Sequence, residues 1–159
     1  MHLEYDIESS AVEMHQGLVS YYNKGKLEKK MSFKDGSIKS NETIELIKNI
    51  KMYERNDGKE IYASAEKATV KFNDLSNQAQ MSEVENMIIQ DNIQIKTQEH
   101  TFRTEFAIFD YEQKTLQSRT EVEVYGENGK MVSETGFELS MDQSELKLFG
   151  PVVGFLNEN

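Results

Sequence analysis

Between residues 58 and 155 the chain repeats one simple unit: an alternating apolar–polar run, a polar break, and a second alternating run. Two copies align by eye. Thr104, Phe106 and Ile108 lead to an acidic break at Asp110 and then to Leu116; Thr135, Phe137 and Leu139 lead to Met141-Asp142 and then to Leu146. A looser copy carries Ala65, Ala68, Val70 and Phe72. A strand pair of this size cannot bury its apolar face alone, so repetition implies β units stacked on one another. Such a stack can hold an apolar ligand along its inside and can be extended at both ends. That favours a binding or conduit protein over an enzyme.

The turn signals support an all-β reading. Asn23-Lys-Gly25, Asp35-Gly36, Asp57-Gly58 and Asn128-Gly129 each separate alternating runs, and such pairs suit tight hairpins because the central residues need positive φ. Residues 17–22 and 26–33 form the first expected hairpin, followed by strands at 37–40 and 43–55, the latter with Ile44, Leu46, Ile50 and Met52 inward. Along 59–73 the apolar phase moves from Ile61, Ala63 and Ala65 to Ala68, Val70 and Phe72, the mark of a β-bulge. Residues 87–97 alternate Met87, Ile89, Ile93 and Ile95 with polar positions, and Asp91 interrupts them. Strands at 101–110 (Phe102, Thr104, Phe106, Ile108), 120–125, 131–141 and 145–155 complete the series. Residues 75–86 read as strand and turn, although their Gln, Glu, Ala and Met would also suit a short helix. Clean alternation indicates antiparallel sheets with one wet face.

At 159 residues the chain is long enough for one domain with a real core, residues 1–15 being an arm or entry strand. Its net charge of −10 repels phosphate backbones, so no nucleic-acid partner is expected, and it argues against adhesion to an anionic membrane through a basic patch. No cysteine is present, which removes disulfides, thiolate metal sites and cysteine nucleophiles. His2, His15 and His100 stand in no zinc-binding spacing, so neither a metal nor a cofactor is expected. Glu121 and Glu123 share a strand face roughly 7 Å apart. With Asp110 they are the only carboxylates that suggest a carbohydrate-active site, which would need a cleft and a raised pKa. A solvated strand face is the simpler account, and Asp110 and Asp142 suit turn chemistry.

The inner face therefore carries the functional expectation. Ile89, Ile93, Ile95, Phe106, Ile108, Val122, Val124, Phe137 and Leu139 would line one side of the stack. Burying an acyl chain there is favourable by ~0.8 kcal/mol per CH₂, and eight methionines add adaptable apolar surface. The alternative is a structural or adhesive β-solenoid with a closed core.

Longer patterns sharpen this. Ile61–Phe72 and Val84–Ile95 resemble consecutive strands of the lipopolysaccharide export family LptC. The run Phe102–Tyr111 with Thr115–Ser118 and Val122–Val124 resembles the next unit, and Gly136, Phe137, Asp142, Leu146, Leu148 and Gly150 the one after. The resemblance covers residues 58–155 well and 17–57 loosely. It implies an open, twisted β-jellyroll in the periplasm, tethered to the inner membrane by an N-terminal helix outside this sequence. It also implies lipopolysaccharide as ligand, an inner-membrane ABC transporter complex as its source, and the periplasmic bridge protein LptA as its recipient. On that analogy residues 146–155 offer an edge to the next jellyroll through Leu148, Phe149 and Val152. Pro151, lacking an N–H, should mark where pairing stops or bends.

Overall fold

A computed structural model describes residues 2–3, 12–15, 17–23, 26–39, 43–72 and 84–156. They form fifteen strands: β1 (His2–Leu3), β2 (Val12–His15), β3 (Leu18–Asn23), β4 (Lys26–Ser32), β5 (Asp35–Ile38), β6 (Thr43–Asn56), β7 (Lys59–Phe72), β8 (Val84–Lys96), β9 (Thr101–Asp110), β10 (Thr115–Ser118), β11 (Val122–Gly126), β12 (Gly129–Ser133), β13 (Phe137–Ser140), β14 (Leu146–Leu148) and β15 (Val152–Leu156). All pair antiparallel in one continuous sheet that does not close into a barrel. The all-β, open jellyroll expectation holds.

Four long strands bend at one line. On β6, Lys48 and Asn49 adopt φ of 67° and 52°; on β8, Asp91 and Asn92 adopt 69° and 52°. The register of β7 against β8 slips between Ser64 and Lys67, and that of β8 against β9 between Gln90 and Ile93. Each slip inserts residues into one strand and restarts the inward alternation, so the sheet folds back without breaking. Two facing layers result. One contains β4, residues 50–56 of β6, 59–65 of β7, 93–96 of β8 and 101–104 of β9, continued by β11, β12 and β15. The other contains β5, residues 43–47 of β6, 67–72 of β7, 84–90 of β8 and 106–110 of β9, continued by β10, β13 and β14.

The core lies between the layers. Ile44, Leu46, Ile50 and Met52 are inward as expected, and so are both phases of β7. Phe102 of the first layer stacks on Phe137 of the second with ring centroids 4.7 Å apart, a contact that closes the C-terminal end.

Three sequence expectations are corrected. Asp35-Gly36 is no hairpin turn: it opens β5, which continues along β6 after β4 leaves it at Ser32. The break between them falls opposite the β6 bend, where the Lys34 N–H donates to the Lys48 carbonyl at 3.0 Å. The second β11–β12 turn residue is Asn128 rather than Gly129, since Gly126 pairs with Gly129. Phe106 and Ile108 do not face inward. β9 changes phase at the bend, so Phe102 and Thr104 are buried on one side of it and Ala107 and Phe109 on the other. The Asp57-Gly58 hairpin is as expected, with φ of 50° and 77°. The Asn23-Lys-Gly25 turn and residues 75–83 lie outside the described residues.

Candidate functional site

The expected groove residues divide into two groups. Ile89, Ile93, Ile95, Val122, Val124, Phe137 and Leu139 are all at most 3 % exposed. They pack into the core and do not line the cleft between the layers, although Ile93 borders a polar depression that also holds Glu121 and Glu123. Phe106 and Ile108 are half-buried on the outer face, where Ile108 borders a shallow depression with Glu85, Asp110 and Glu112.

Apolar open space between the layers lies instead toward the N-terminal half. A cleft of about 60 Å³ separates the layers, lined on one side by Met31, Met52, Ile61 and Ala63 and on the other by Leu46, Val70, Phe72, Met87 and Phe109. These positions alternate inward along β4, β6, β7, β8 and β9 for the reason the rest of the core does. Space remains because Ala63 faces the cleft where a larger side chain would fill it. Several of these residues were legible as inward positions. Their role as cleft lining was not, because a strand pattern reports the buried face without saying where two faces fail to meet.

A polar cluster around Glu54 interrupts this apolar lining. Glu54 is 4 % exposed and sits opposite Lys29 in the β4–β6 register. The Tyr111 hydroxyl donates to Glu54 Oε1 at 2.5 Å, and Asn56 Nδ2 donates to Oε2 at 2.8 Å. Lys29 Nζ lies 3.9 Å from the centre of the Tyr111 ring. A buried carboxylate without partners is costly, and here both oxygens are occupied. Burial, then the Glu54 charge and hydrogen bond, push the Tyr111 hydroxyl well above the usual phenol range. Burial lowers the Lys29 ammonium, and Glu54 opposes that shift.

The alternative chemistry finds less support. Glu123 is held by Lys130 at 2.6 Å. That hydrogen bond lowers its pKa, the reverse of what a general acid requires. Asp110 Oδ1 accepts the N–H groups of Glu112 and Gln113 in the β9–β10 turn, and Asp142 Oδ1 accepts that of Ser144 in the β13–β14 turn; both are turn residues. Among the described residues no group of histidines and carboxylates is placed to hold a metal.

The expected C-terminal edge is two edges. Gly150 and Pro151 divide residues 146–155 into β14, paired with β13, and β15, paired with β12. Leu148 packs against the core. Phe149 is half-buried, with the Arg119 guanidinium 4.2 Å over its ring. Val152 stands on the exposed strand, 42 % accessible. The chain changes partner across Phe149–Pro151: Ser133 Oγ donates to the Phe149 carbonyl and Thr135 Oγ1 to that of Gly150, while the Pro151 carbonyl accepts the Glu134 N–H as pairing passes from β13 to β12.

Against known proteins, a family model described as "Lipopolysaccharide-assembly, LptC-related" matches residues 18–157. No curated protein matches the chain.

Proposed function

The chain belongs to the LptC-related family of lipopolysaccharide-assembly proteins, and from that premise we propose a non-catalytic relay. Its role lies in lipopolysaccharide transport. In the proposed relay it receives lipopolysaccharide from an inner-membrane ABC transporter and passes it to a periplasmic bridge protein of the same jellyroll type. It works in the periplasm, tethered to the inner membrane, and needs no cofactor. Acyl chains rest between the two layers, held by removal of apolar surface from water.

The apolar cleft is the observation that carries this reading. It shifts the proposed acyl contacts from Ile89, Ile93, Ile95, Val122, Val124, Phe137 and Leu139 to Met52, Val70, Phe72 and Met87. Phe106 and Ile108, on the outer face, drop out. At about 60 Å³ the cleft has room for a few water molecules and not for an acyl chain, so occupation requires the layers to part. The closed C-terminal core favours a second reading, a structural β module with a dry interior.

A photo-crosslinking residue at Met52 or Met87, with another at Tyr62 on the outer face, tests the choice. Incubation with purified lipopolysaccharide should give lipid adducts from the two cleft positions and none from Tyr62. In the same samples the thermal midpoint should rise with lipid concentration, by mass action. Folded protein with neither adducts nor a shift would favour the dry module.

A further inference from the structure

The two layers meet at the bend, and side-chain bonds also join them away from it; two of these bonds lie on opposite rims. One is polar and exposed: Gln143, in the β13–β14 turn, donates through Nε2 to the Glu60 carbonyl at 3.1 Å and accepts the Gln98 N–H through Oε1 at 3.1 Å. The other is the part-buried bond from Tyr111 to Glu54. Tyr111 follows β9 in the second layer; Glu54 and Lys29 belong to the first. All three also line the cleft.

We infer that the Tyr111–Glu54 bond, with Lys29 packed on the Tyr111 ring, is the latch that keeps the cleft closed to acyl chains. This rests on the proposed acyl site and deepens it. Three observations converge on the assignment. A hydrogen bond to a carboxylate that is itself buried is among the stronger single contacts a protein makes. It joins elements of opposite layers beside the apolar cleft between them. Finally, that space is too small for its proposed ligand unless the contact yields. Glu54 need not be stranded when it does, because Asn56 and the opposing Lys29 stay in its own layer. The open state therefore retains partners for the carboxylate, and a modest cost separates closed from open. Apparent affinity for a chain that enters only the open state is the intrinsic affinity scaled by the open fraction.

The test uses cis-parinaric acid, a fluorescent fatty acid that binds as a monomer, and compares the unmodified chain with Tyr111→Phe, Glu54→Gln and Gln143→Ala. Tyr111→Phe keeps the ring under Lys29 and removes only the donor. It should tighten apparent binding by about 10-fold, the equivalent of losing one charge-assisted bond from the closed state. Glu54→Gln keeps the shape and an acceptor for Tyr111 but loses the charge, and its amide N–H2 is met by Asn56 only if Asn56 flips to present Oδ1; it should shift affinity in the same direction by less. Gln143→Ala, at the exposed tie, should stay within about two-fold. Thermal melts confirm that each variant is folded. Should Tyr111→Phe misfold, Glu54→Gln carries the test alone. Unchanged affinity in Tyr111→Phe and Glu54→Gln, with normal binding by the unmodified chain, would overturn the latch and leave the acyl site standing. An equal gain in Gln143→Ala would also overturn it, since any loosened rim would then suffice. No binding by any form would remove the acyl site itself, and the latch with it.

Discussion

Two glycines separate a conformational requirement from a packing requirement. Gly58 has φ of +77° in the β6–β7 hairpin, and a Cβ added there would meet nothing within 4 Å. Gly136 has φ of +118°, and its Cβ would sit 2.0 Å from the Ser118 carbonyl oxygen. Ser118 pairs with Phe137 in the β10–β13 ladder, so that oxygen cannot move without opening the register beneath the Phe102–Phe137 stack. Gly58→Ala should cost about 1–2 kcal/mol, the left-handed backbone penalty alone. Gly136→Ala should cost more, of the order of a large core truncation, ~3–5 kcal/mol. Urea denaturation of the two variants checks the ranking. Comparable losses would mean that the start of β13 yields more readily than its contacts indicate. Both glycines are visible in the sequence, but only Gly58 announces its role there, through the Asp-Gly pair. The clash at Gly136 comes from a residue eighteen positions earlier in the chain.

Within single elements, the β13–β14 turn offers a pH test. Asp142 Oδ1 accepts from Ser140 Oγ at 2.9 Å, from the Ser144 N–H at 3.0 Å and from Ser144 Oγ at 2.6 Å. These bonds, those from Ser144 first, lower its pKa from 3.8 to about 2. A pKa lower in the folded state means a contribution fully present above the unfolded value and lost as pH falls through the folded one. The stability difference between the unmodified chain and Asp142→Ala should therefore be level from neutral pH down to about 4, then shrink toward pH 2. Urea midpoints at several pH values measure it, and a difference independent of pH would show that the carboxylate's charge contributes nothing to the turn. Turn chemistry of this kind was readable in the sequence, as was the bulge in β7, where Glu66 and Lys67 interrupt the apolar phase. The matching shift in β9 was hidden. Phe106, Ala107, Ile108 and Phe109 form an unbroken apolar run in which both phases look inward, so alternation carried through from Phe102 assigns Phe106 and Ile108 to the wrong face. Only pairing with the bulged β8 selects Ala107 and Phe109. The cleft was illegible for a related reason, since it depends on how far apart two inward faces come to rest.

Across the whole molecule, folding one sheet back on itself leaves each layer with its own C-terminal edge strand, and the two differ in character. β14 has three residues; Leu146 and Leu148 turn toward the core, while exposed Lys147 is flanked by Glu138 and Glu145 at 3.9 and 3.7 Å. Short length and a charged centre are devices that keep an edge from pairing. β15 has neither. Its five residues include no charge, and Val152, Val153 and Phe155 are 42 %, 50 % and 57 % exposed. A second jellyroll adding a strand would gain backbone bonds on either edge but apolar burial mainly on β15. The proposed hand-over thus belongs to β15 and the first layer; of the three residues expected at the edge, Val152 is the one that lies there. Paired Val153→Glu and Phe155→Glu substitutions should weaken capture of a periplasmic bridge jellyroll by at least about 10-fold, because two apolar side chains that the added strand would cover become charged. Leu148→Ala should disturb stability and leave capture by the folded fraction unchanged. The charged β15 variant should still bind cis-parinaric acid normally, because the cleft is lined by strands β4 and β6–β9. Isothermal titration against the bridge protein distinguishes the two edges. If binding survives on β15 and is abolished when Lys147 is replaced by proline, the growing stack would continue from the second layer, and acyl chains would leave past the Phe102–Phe137 stack, which would then have to open.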